Sequence, residues 1–219
     1  MSSLHLKVKI YKVITTERDE MVELGRPRGF DKEDALRAAM DIFWSLGFEN
    51  TSMTALSQAM KLNPSSIYAA FGSKQDLFLK IVDIYAETEG TEIWGGLDTA
   101  STAKEAIAGM LRGSALSYTQ TTPQRGCLIV LAAPQSTGPH PEVCEALKSR
   151  RLETAQLLTE RLARGKTDGD LPDNVNCSAI ASYYITLQQG MSIQARDGAT
   201  SQTLLKVVDN AMVGWEAVI

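Results

Sequence analysis

A succession of closely spaced helix-start and helix-stop signals in the first half of the chain limits the fold more than any other feature. From Asp31 onward, apolar residues recur at steps of three and four, and Gly47 stands where a helix C-cap belongs. Thr51 and Ser52 then offer an N-cap for a second, short helix that runs through Met60. The pattern predicts a longer helix followed closely by a short one.

A third short helix is predicted directly after the second. Lys61–Leu62 form the turn, Asn63 supplies a cap, and Pro64 occupies the first helical position, which proline favours. This helix ends at Phe71, and a variant capping box over Ser73–Asp76 starts the next helix.

Helical periodicity continues through the rest of the chain, interrupted by breaks rich in Pro and Gly. Further helices are predicted over 102–120, 125–133, 141–164, 174–195 and 201–218. We therefore expect an all-α protein in which a three-helix domain precedes a larger helical domain. Residues 4–13 alternate as a strand does, but one isolated strand lacks a partner, so residues 1–25 are interpreted as an N-terminal arm.

Composition favours a cytoplasmic protein, with no membrane partner and no cofactor. No apolar run approaches the ~18 residues of a membrane span, and three unpaired cysteines, Cys127, Cys144 and Cys177, suit a reducing compartment. The net charge is −4, but the charge is unevenly distributed. Residues 1–75 hold 10 basic and 9 acidic side chains, against 12 and 17 afterwards, which weakly favours an N-terminal contact with a polyanion.

The three-helix segment has the pattern of a helix-turn-helix, whose last helix enters the DNA major groove. The residues expected to face inward and lock the helices are Leu56, Ala59, Leu62, Ile67 and Phe71. The residues expected to face outward are Ser65, Ser66, Tyr68 and Ala69. The outward set is small and polar, which suits close approach to base edges and phosphates.

Several separated motifs in this region resemble the TetR/AcrR family of repressors. They are Gly25–Phe30, Ala39–Phe48, Thr51–Met53, Ser66–Lys74 and Leu77–Phe78. The second half also resembles an AcrR-like subgroup through Gly126–Leu128, Arg150–Arg151 and Gln189–Gly198. The resemblance implies a sequence-specific DNA-binding transcriptional repressor with a helix-turn-helix domain over 26–75 and a ligand-binding and dimerisation domain over 76–219.

The resemblance also implies that Thr51, Ser66, Tyr68 and Lys74 contact DNA. Arg26 and Arg28, on a proline-stiffened arm, are expected to add phosphate or minor-groove contacts. The full expected contact set is Arg26, Arg28, Thr51, Asn63, Ser65, Ser66, Tyr68, Ala69 and Lys74.

One position in the turn departs from the family pattern, because Lys61 stands where the family usually has glycine. A left-handed backbone at this position costs a lysine on the order of 1 kcal/mol. The lysine also offers an additional phosphate contact.

A palindromic operator and a homodimer are expected together, because two-fold symmetry pairs two half-sites. The last two helices carry apolar stripes that suit a four-helix interface. The expected dimer residues are Ile180, Tyr184, Leu187, Met191, Leu204, Val208, Met212 and Trp215.

The resemblance further implies a small-molecule inducer that binds inside the second domain and lowers DNA affinity. The expected lining combines apolar area with a few hydroxyls. It comprises Met110, Leu111, Ser114, Tyr118, Cys127, Val130, Leu131 and Tyr183. Coupling to DNA binding is expected to run through the helix after Ser73.

Other classes of function have less support in the sequence. Enzymatic activity is not expected, because no nucleophile elbow, phosphate loop or paired histidine motif occurs. A scaffold that has lost DNA binding would have a disrupted recognition helix. A redox response through Cys127, a metal response through His140 and Cys144, and a ligand-independent regulator remain alternatives, although no third metal ligand is evident and no metal site is predicted.

Overall fold

The computed structural model describes residues 30–132 and 140–219, and every regular element in these ranges is helical. The helices are α1 (Lys32–Asn50), α2 (Met53–Met60), α3 (Pro64–Phe71), α4 (Lys74–Glu87), α5 (Glu89–Trp94), α6 (Ala103–Ser117), α7 (Leu128–Leu131), α8 (Pro141–Thr167), α9 (Cys177–Arg196), α10 (Ser201–Val213) and α11 (Trp215–Val218). The predicted all-α class is confirmed. Residues Glu33–Ile219 pack as one unit, and of the other unit, Met1–Lys32, only residues 30–32 are described.

Three helices differ from the sequence prediction in more than the position of their ends. Helix α5 lies before residue 102, in a stretch for which the sequence analysis predicted no separate helix. The helix predicted over 125–133 is only the short α7 in the described residues, because Gly126 has a φ of 66°. The single helix predicted over 201–218 divides at Gly214 into α10 and α11.

The helix caps predicted around the helix-turn-helix are confirmed. Ser52 Oγ accepts from the backbone N–H of Ala55 at 3.1 Å and so begins α2. Ser73 and Asp76 form a reciprocal capping box at the start of α4. These local hydrogen bonds define where α2 and α4 begin.

An aromatic cluster forms the core between α1 and α4. Gly47, with a φ of 74°, breaks the helical path of α1 and lets Phe48 turn back beneath it. The ring of Phe78 lies 5.0 Å from that of Phe43 and 5.1 Å from that of Phe48. All three rings are buried, so α1 and α4 share one apolar core.

Lys74 joins α4 to the junction between α1 and α2. Its Nζ donates to the carbonyl oxygens of Phe48, at 2.8 Å, and Thr51, at 2.9 Å. The same ammonium lies 4.3 Å from the centroid of the Phe48 ring. Burial lowers the pKa of Lys74, while the nearby Glu49 carboxylate raises it. In this structure Lys74 therefore supports the fold of the helix-turn-helix.

The second half of the chain packs α9 against α6 and α8, with α10 on α6. Arg161, a buried residue of α8, donates to the carbonyl oxygens of Leu97 and Ala100 and so fixes the loop before α6. Within residues 30–132 and 140–219, no helix is long and apolar enough to cross a membrane.

We predict that Lys74→Met lowers the free energy of unfolding by about 1–3 kcal/mol, because two carbonyl groups lose a charged donor. Lys80→Met is the matched control, since Lys80 is an exposed lysine of the same helix; its effect is expected to stay within about 0.5 kcal/mol. Urea denaturation followed by circular dichroism measures both. Equal effects of the two substitutions would show that the Lys74 contacts do not support the fold.

Candidate nucleic-acid interface and regulatory core

The outward face of α3 is the candidate DNA-contacting surface. Ser65, Tyr68 and Ala69 are exposed, and Ser66 is half-buried. The Tyr68 side chain is the largest of these, and the residue is 51% exposed. On the opposite face Ile67 is buried in the core, so packing holds α3 with its polar face outward.

A small hydrogen-bond network orders the N-terminus of α3. Asn63 Oδ1 accepts from the backbone N–H of Ser66 at 2.8 Å and from Ser65 Oγ at 2.7 Å. The amide of Asn63 therefore both caps the helix and fixes the hydroxyl of Ser65. This places two predicted contact residues, Asn63 and Ser65, in one cluster at the exposed start of α3.

The charge near α3 is confined to its two flanks. No residue from Leu62 to Ser73 carries a charged side chain. The flanking cations are Lys61 and Lys74, and the ammonium of Lys74 donates to two backbone carbonyls. Lys61 is exposed in the turn that precedes α3.

The turn between α2 and α3 is a Schellman cap. The N–H of Lys61 donates to the carbonyl of Gln58 at 3.3 Å, and the N–H of Leu62 donates to the carbonyl of Ser57 at 3.1 Å. Lys61 has a φ of 55° and a ψ of 37°, so the left-handed backbone considered from the sequence is present.

Of the predicted DNA contacts in the described residues, Thr51 and Lys74 lie outside α3 and its N-cap. Thr51 is 1% exposed, and its Oγ1 donates to the carbonyl of Gly47 at 2.6 Å, so its hydroxyl is inaccessible to DNA in this structure. Thr51 was expected from the resemblance to contact DNA, and in this structure its hydroxyl is instead committed to the backbone of α1. Arg26 and Arg28, together with the arm over 1–25, lie outside the described residues.

The segment 125–127 connects α1 to the core of the second half. Trp44 Nε1 donates to the carbonyl of Gly126 at 3.0 Å, and Arg125 pairs with Asp41 at 2.6 Å. The N–H of Cys127 donates to Ser192 Oγ of α9 at 2.8 Å. A Cβ on Gly126 would lie 2.4 Å from the carbonyl oxygen of Ser192, so only glycine fits this close approach.

The sequence analysis did not assign a role to Trp44. Its ring lies 5.0 Å from that of Tyr85, a buried residue of α4. Trp44 therefore contacts both α4 and segment 125–127. The sequence shows a tryptophan in α1, but it does not show which residues that side chain contacts, because these residues are distant in the chain.

A buried polar cluster adjoins segment 125–127. Gln188 Nε2 donates to Ser114 Oγ at 3.2 Å, while the hydroxyl of Tyr85 has no hydrogen-bond partner among the described residues. Burial, with a further contribution from the Cys127 thiol, raises the pKa of Tyr85 and Tyr118 well above the ordinary value. Burial also raises the pKa of Cys127, so its thiol stays protonated near neutral pH.

The expected ligand-lining residues fall into two groups in the structure. Those buried in or beside this cluster are Met110, Leu111, Ser114, Tyr118 and Cys127, and Val130 and Leu131 are half-buried. Tyr183 is exposed on the outer face of α9, so its prediction as a lining residue is wrong. The helical periodicity did not predict which of the two adjacent tyrosines would be buried; Tyr184 is buried and Tyr183 is exposed.

Most of the residues expected at a dimer interface are buried within one chain. These buried residues are Ile180, Tyr184, Met191, Leu204, Val208 and Trp215; Leu187 and Met212 remain partly exposed. The predicted stripes are thus the faces by which α9 and α10 join their own core. The large apolar residues left exposed on these helices are Tyr183, Ile193 and Val213.

Comparisons with known proteins agree with this architecture. The profile described as "Bacterial regulatory proteins, tetR family" matches residues 35–81, and that described as "Tetracyclin repressor-like, C-terminal domain" matches residues 103–209. Among curated proteins, the Escherichia coli K12 repressor ComR is 27% identical, with 89% of this chain and 93% of ComR covered. BdcR, a repressor of the same organism, is 29% identical, with 82% and 86% covered.

Among solved structures, the chain is similar to a cysteine-substituted variant of the TetR family transcriptional regulator CifR in complex with 26-base-pair operator DNA. The two are 41% identical, with 87% of this chain and 100% of the CifR chain covered, and the TM-score is 0.83. This similarity extends over the helix-turn-helix and the larger helical part alike. The chain belongs to the TetR family of transcriptional regulators.

Proposed function

We propose that this protein is a transcriptional repressor that binds double-stranded operator DNA by placing α3 in the major groove. The observation that carries the proposal is the exposed polar face of α3, held outward by the buried Ile67 and capped by Asn63. A helix with this arrangement brings small polar side chains against base edges. In this proposal residues 26–75 form the DNA-binding domain and residues 76–219 the regulatory domain. Arg26 and Arg28 add backbone contacts.

We predict that Tyr68→Phe weakens operator binding about tenfold, because a dimer loses two hydrogen bonds of roughly 0.5–1.5 kcal/mol each. Leu152→Ala is the control, since Leu152 is an exposed side chain of α8 outside the proposed interface. Fluorescence anisotropy on a duplex enriched by the wild-type protein from a random-sequence library measures both. Failure to enrich any sequence would contradict the proposed function, whereas an unchanged affinity of Tyr68→Phe would contradict only the contact.

The regulator is proposed to act as a homodimer through the outer face of α9 and the end of α10. Tyr183, Gly190 and Ile193 share one face of α9 at helical spacing. A Cβ on Gly190 would meet nothing within 4 Å, so this face is open to close approach by another helix. Val213, at the end of α10, is 84% exposed. Exposed apolar groups of this kind suit a helical interface.

We predict that the double substitution Ile193→Asp and Val213→Asp converts the protein to a monomer, because charges would be buried without partners. Leu152→Asp, on α8, is the matched control and should leave the dimer intact, although Leu152 is also apolar and 58% exposed. Light scattering at micromolar concentration measures the mass. A double variant that remains dimeric would place the interface elsewhere.

An inducer is proposed to bind at the buried polar cluster. Buried polar groups normally have hydrogen-bond partners, yet the hydroxyl group of Tyr85 has none among the described residues. A small, mostly apolar molecule with one hydrogen-bonding group fits this combination of apolar surroundings and a free hydroxyl. Its arrival would move segment 125–127 and, through Trp44, α1. Tyr85 belongs to α4, the helix after Ser73, so the movement would also reach the helix through which coupling to DNA binding was expected from the sequence.

We predict that Trp44→Phe separates ligand binding from DNA release, since it removes the hydrogen bond to Gly126 but keeps an aromatic ring against Tyr85 and every polar group of the cluster. Compounds from a lipophilic library that raise the melting temperature of the wild type should raise that of Trp44→Phe equally. They should release operator DNA from the variant less effectively, as measured by gel shift. Equal release from both would contradict this coupling, and no release from the wild type would favour a ligand-independent regulator.

Redox and metal control have weaker support. The protonated, buried thiol of Cys127 is a poor nucleophile. The ring of His140 packs edge-on against Phe48, with centroids 4.8 Å apart. In the described part of the chain, no three His, Cys, Asp or Glu side chains are grouped as a metal site requires.

A further inference from the structure

We propose that Lys61 is a DNA phosphate contact, and that the chain keeps a strained backbone at this position because of that contact. The proposal rests on DNA binding as proposed above, and it argues from the structure of the turn for the additional phosphate contact that the sequence suggested at Lys61. It makes the turn between α2 and α3 part of the interface. Three independent features of the described residues support it.

The first feature is the backbone conformation. Lys61 is the only residue other than glycine with a positive φ in the described ranges. The position after the last turn of a helix in a Schellman cap strongly favours glycine, because a Cβ is disfavoured in the left-handed region. Non-glycine residues in such conformations cluster at functional sites, where the side chain has a role that outweighs the strain.

The second feature is the scarcity of other cations in the segment from the start of α2 to the start of α4. The exposed face of α3 is uncharged from Leu62 to Ser73. Lys74, on the far flank, has its ammonium directed to the carbonyls of Phe48 and Thr51. Phosphate neutralisation by Lys and Arg supplies a large share of DNA affinity. Lys61 lies in the turn immediately before α3, and its ammonium has no ion-pair partner among the described residues.

The third feature is the freedom of the Lys61 side chain. The residue is exposed, and its ammonium makes no hydrogen bond or ion pair within residues 30–132 and 140–219. Lys61 also directly precedes Leu62 and the Asn63 cap, whose network orders the exposed start of α3. A helix inserted in the major groove has backbone phosphates on both sides. A flexible lysine at this turn is therefore placed to bind one phosphate in each half-site.

The test compares four substitutions. Lys61→Gly removes both the charge and the strain, Lys61→Asn removes the charge but tolerates the left-handed backbone, and Lys61→Arg keeps the charge. Lys104→Gln is the control for loss of one positive charge. Lys104 lies at the start of α6, about 21 Å by helical rise from Tyr118, the residue at the other end that accepts from the N–H of Gly126. Its ion pair with Glu216 is exposed and contributes little.

Binding to one enriched duplex is measured by anisotropy over a series of salt concentrations. We expect Lys61→Gly and Lys61→Asn to bind more weakly than wild type, with a log–log salt dependence shallower by about 1.8 per dimer, or 0.9 for each lost phosphate contact. Lys61→Arg and Lys104→Gln should keep the wild-type slope. Lys61→Gly should also unfold at higher urea concentration than wild type, so that stability and DNA affinity change in opposite directions.

A wild-type slope in both Lys61→Gly and Lys61→Asn would overturn the proposal. A Lys61→Gly protein that gains no stability would overturn the claim that the lysine is kept despite strain. Absence of DNA binding by the wild type would instead contradict the proposed function itself, so the two failures are distinguishable.

Discussion

Helix α3, the proposed recognition helix, depends on the packing beneath it, because it has only eight residues. Isolated helices shorter than about 12 residues are marginal in water, and α3 has no charge pairs of its own. Its position comes from the buried Ile67, the Asn63 cap, and a core in which Phe48 lies under the ammonium of Lys74. Lys74, which was expected from the sequence to contact DNA, here stabilises the packing beneath α3. The exposed surface of α3 and its cap therefore carries hydroxyl and amide groups and no charge.

The same support connects the DNA-binding helices to the regulatory core. Helix α1 contributes Phe43 to the aromatic cluster and Trp44 to the hydrogen bond with Gly126. A displacement of segment 125–127 would therefore move Trp44, and with it the face of α1 that packs against α4. A ligand releases DNA only if it prefers the conformation in which the two recognition helices are misplaced. Gly126 packs so closely on α9 that a side chain larger than hydrogen would not fit between them.

Local signals made much of this structure predictable from the sequence, whereas long-range partners did not follow from it. Caps such as Ser52 and Asn63 form hydrogen bonds within three residues, so the residues themselves specify the helix starts. Periodicity revealed the apolar stripes of α9 and α10 but not whether each stripe packs within the chain or against a second copy. The family resemblance implied that Thr51 and Lys74 contact DNA, and their carbonyl partners within the chain become visible only in three dimensions.

Major-groove placement of α3 is the central claim, and chemical protection of the bound duplex tests it most directly. Dimethyl sulfate modifies the N7 of guanine, which lies in the major groove. The account predicts protection of N7 in two major-groove segments, one in each half-site, separated by about one helical turn or a multiple of it. Unchanged N7 reactivity on a fully bound, enriched duplex that contains guanine in both half-sites would contradict it.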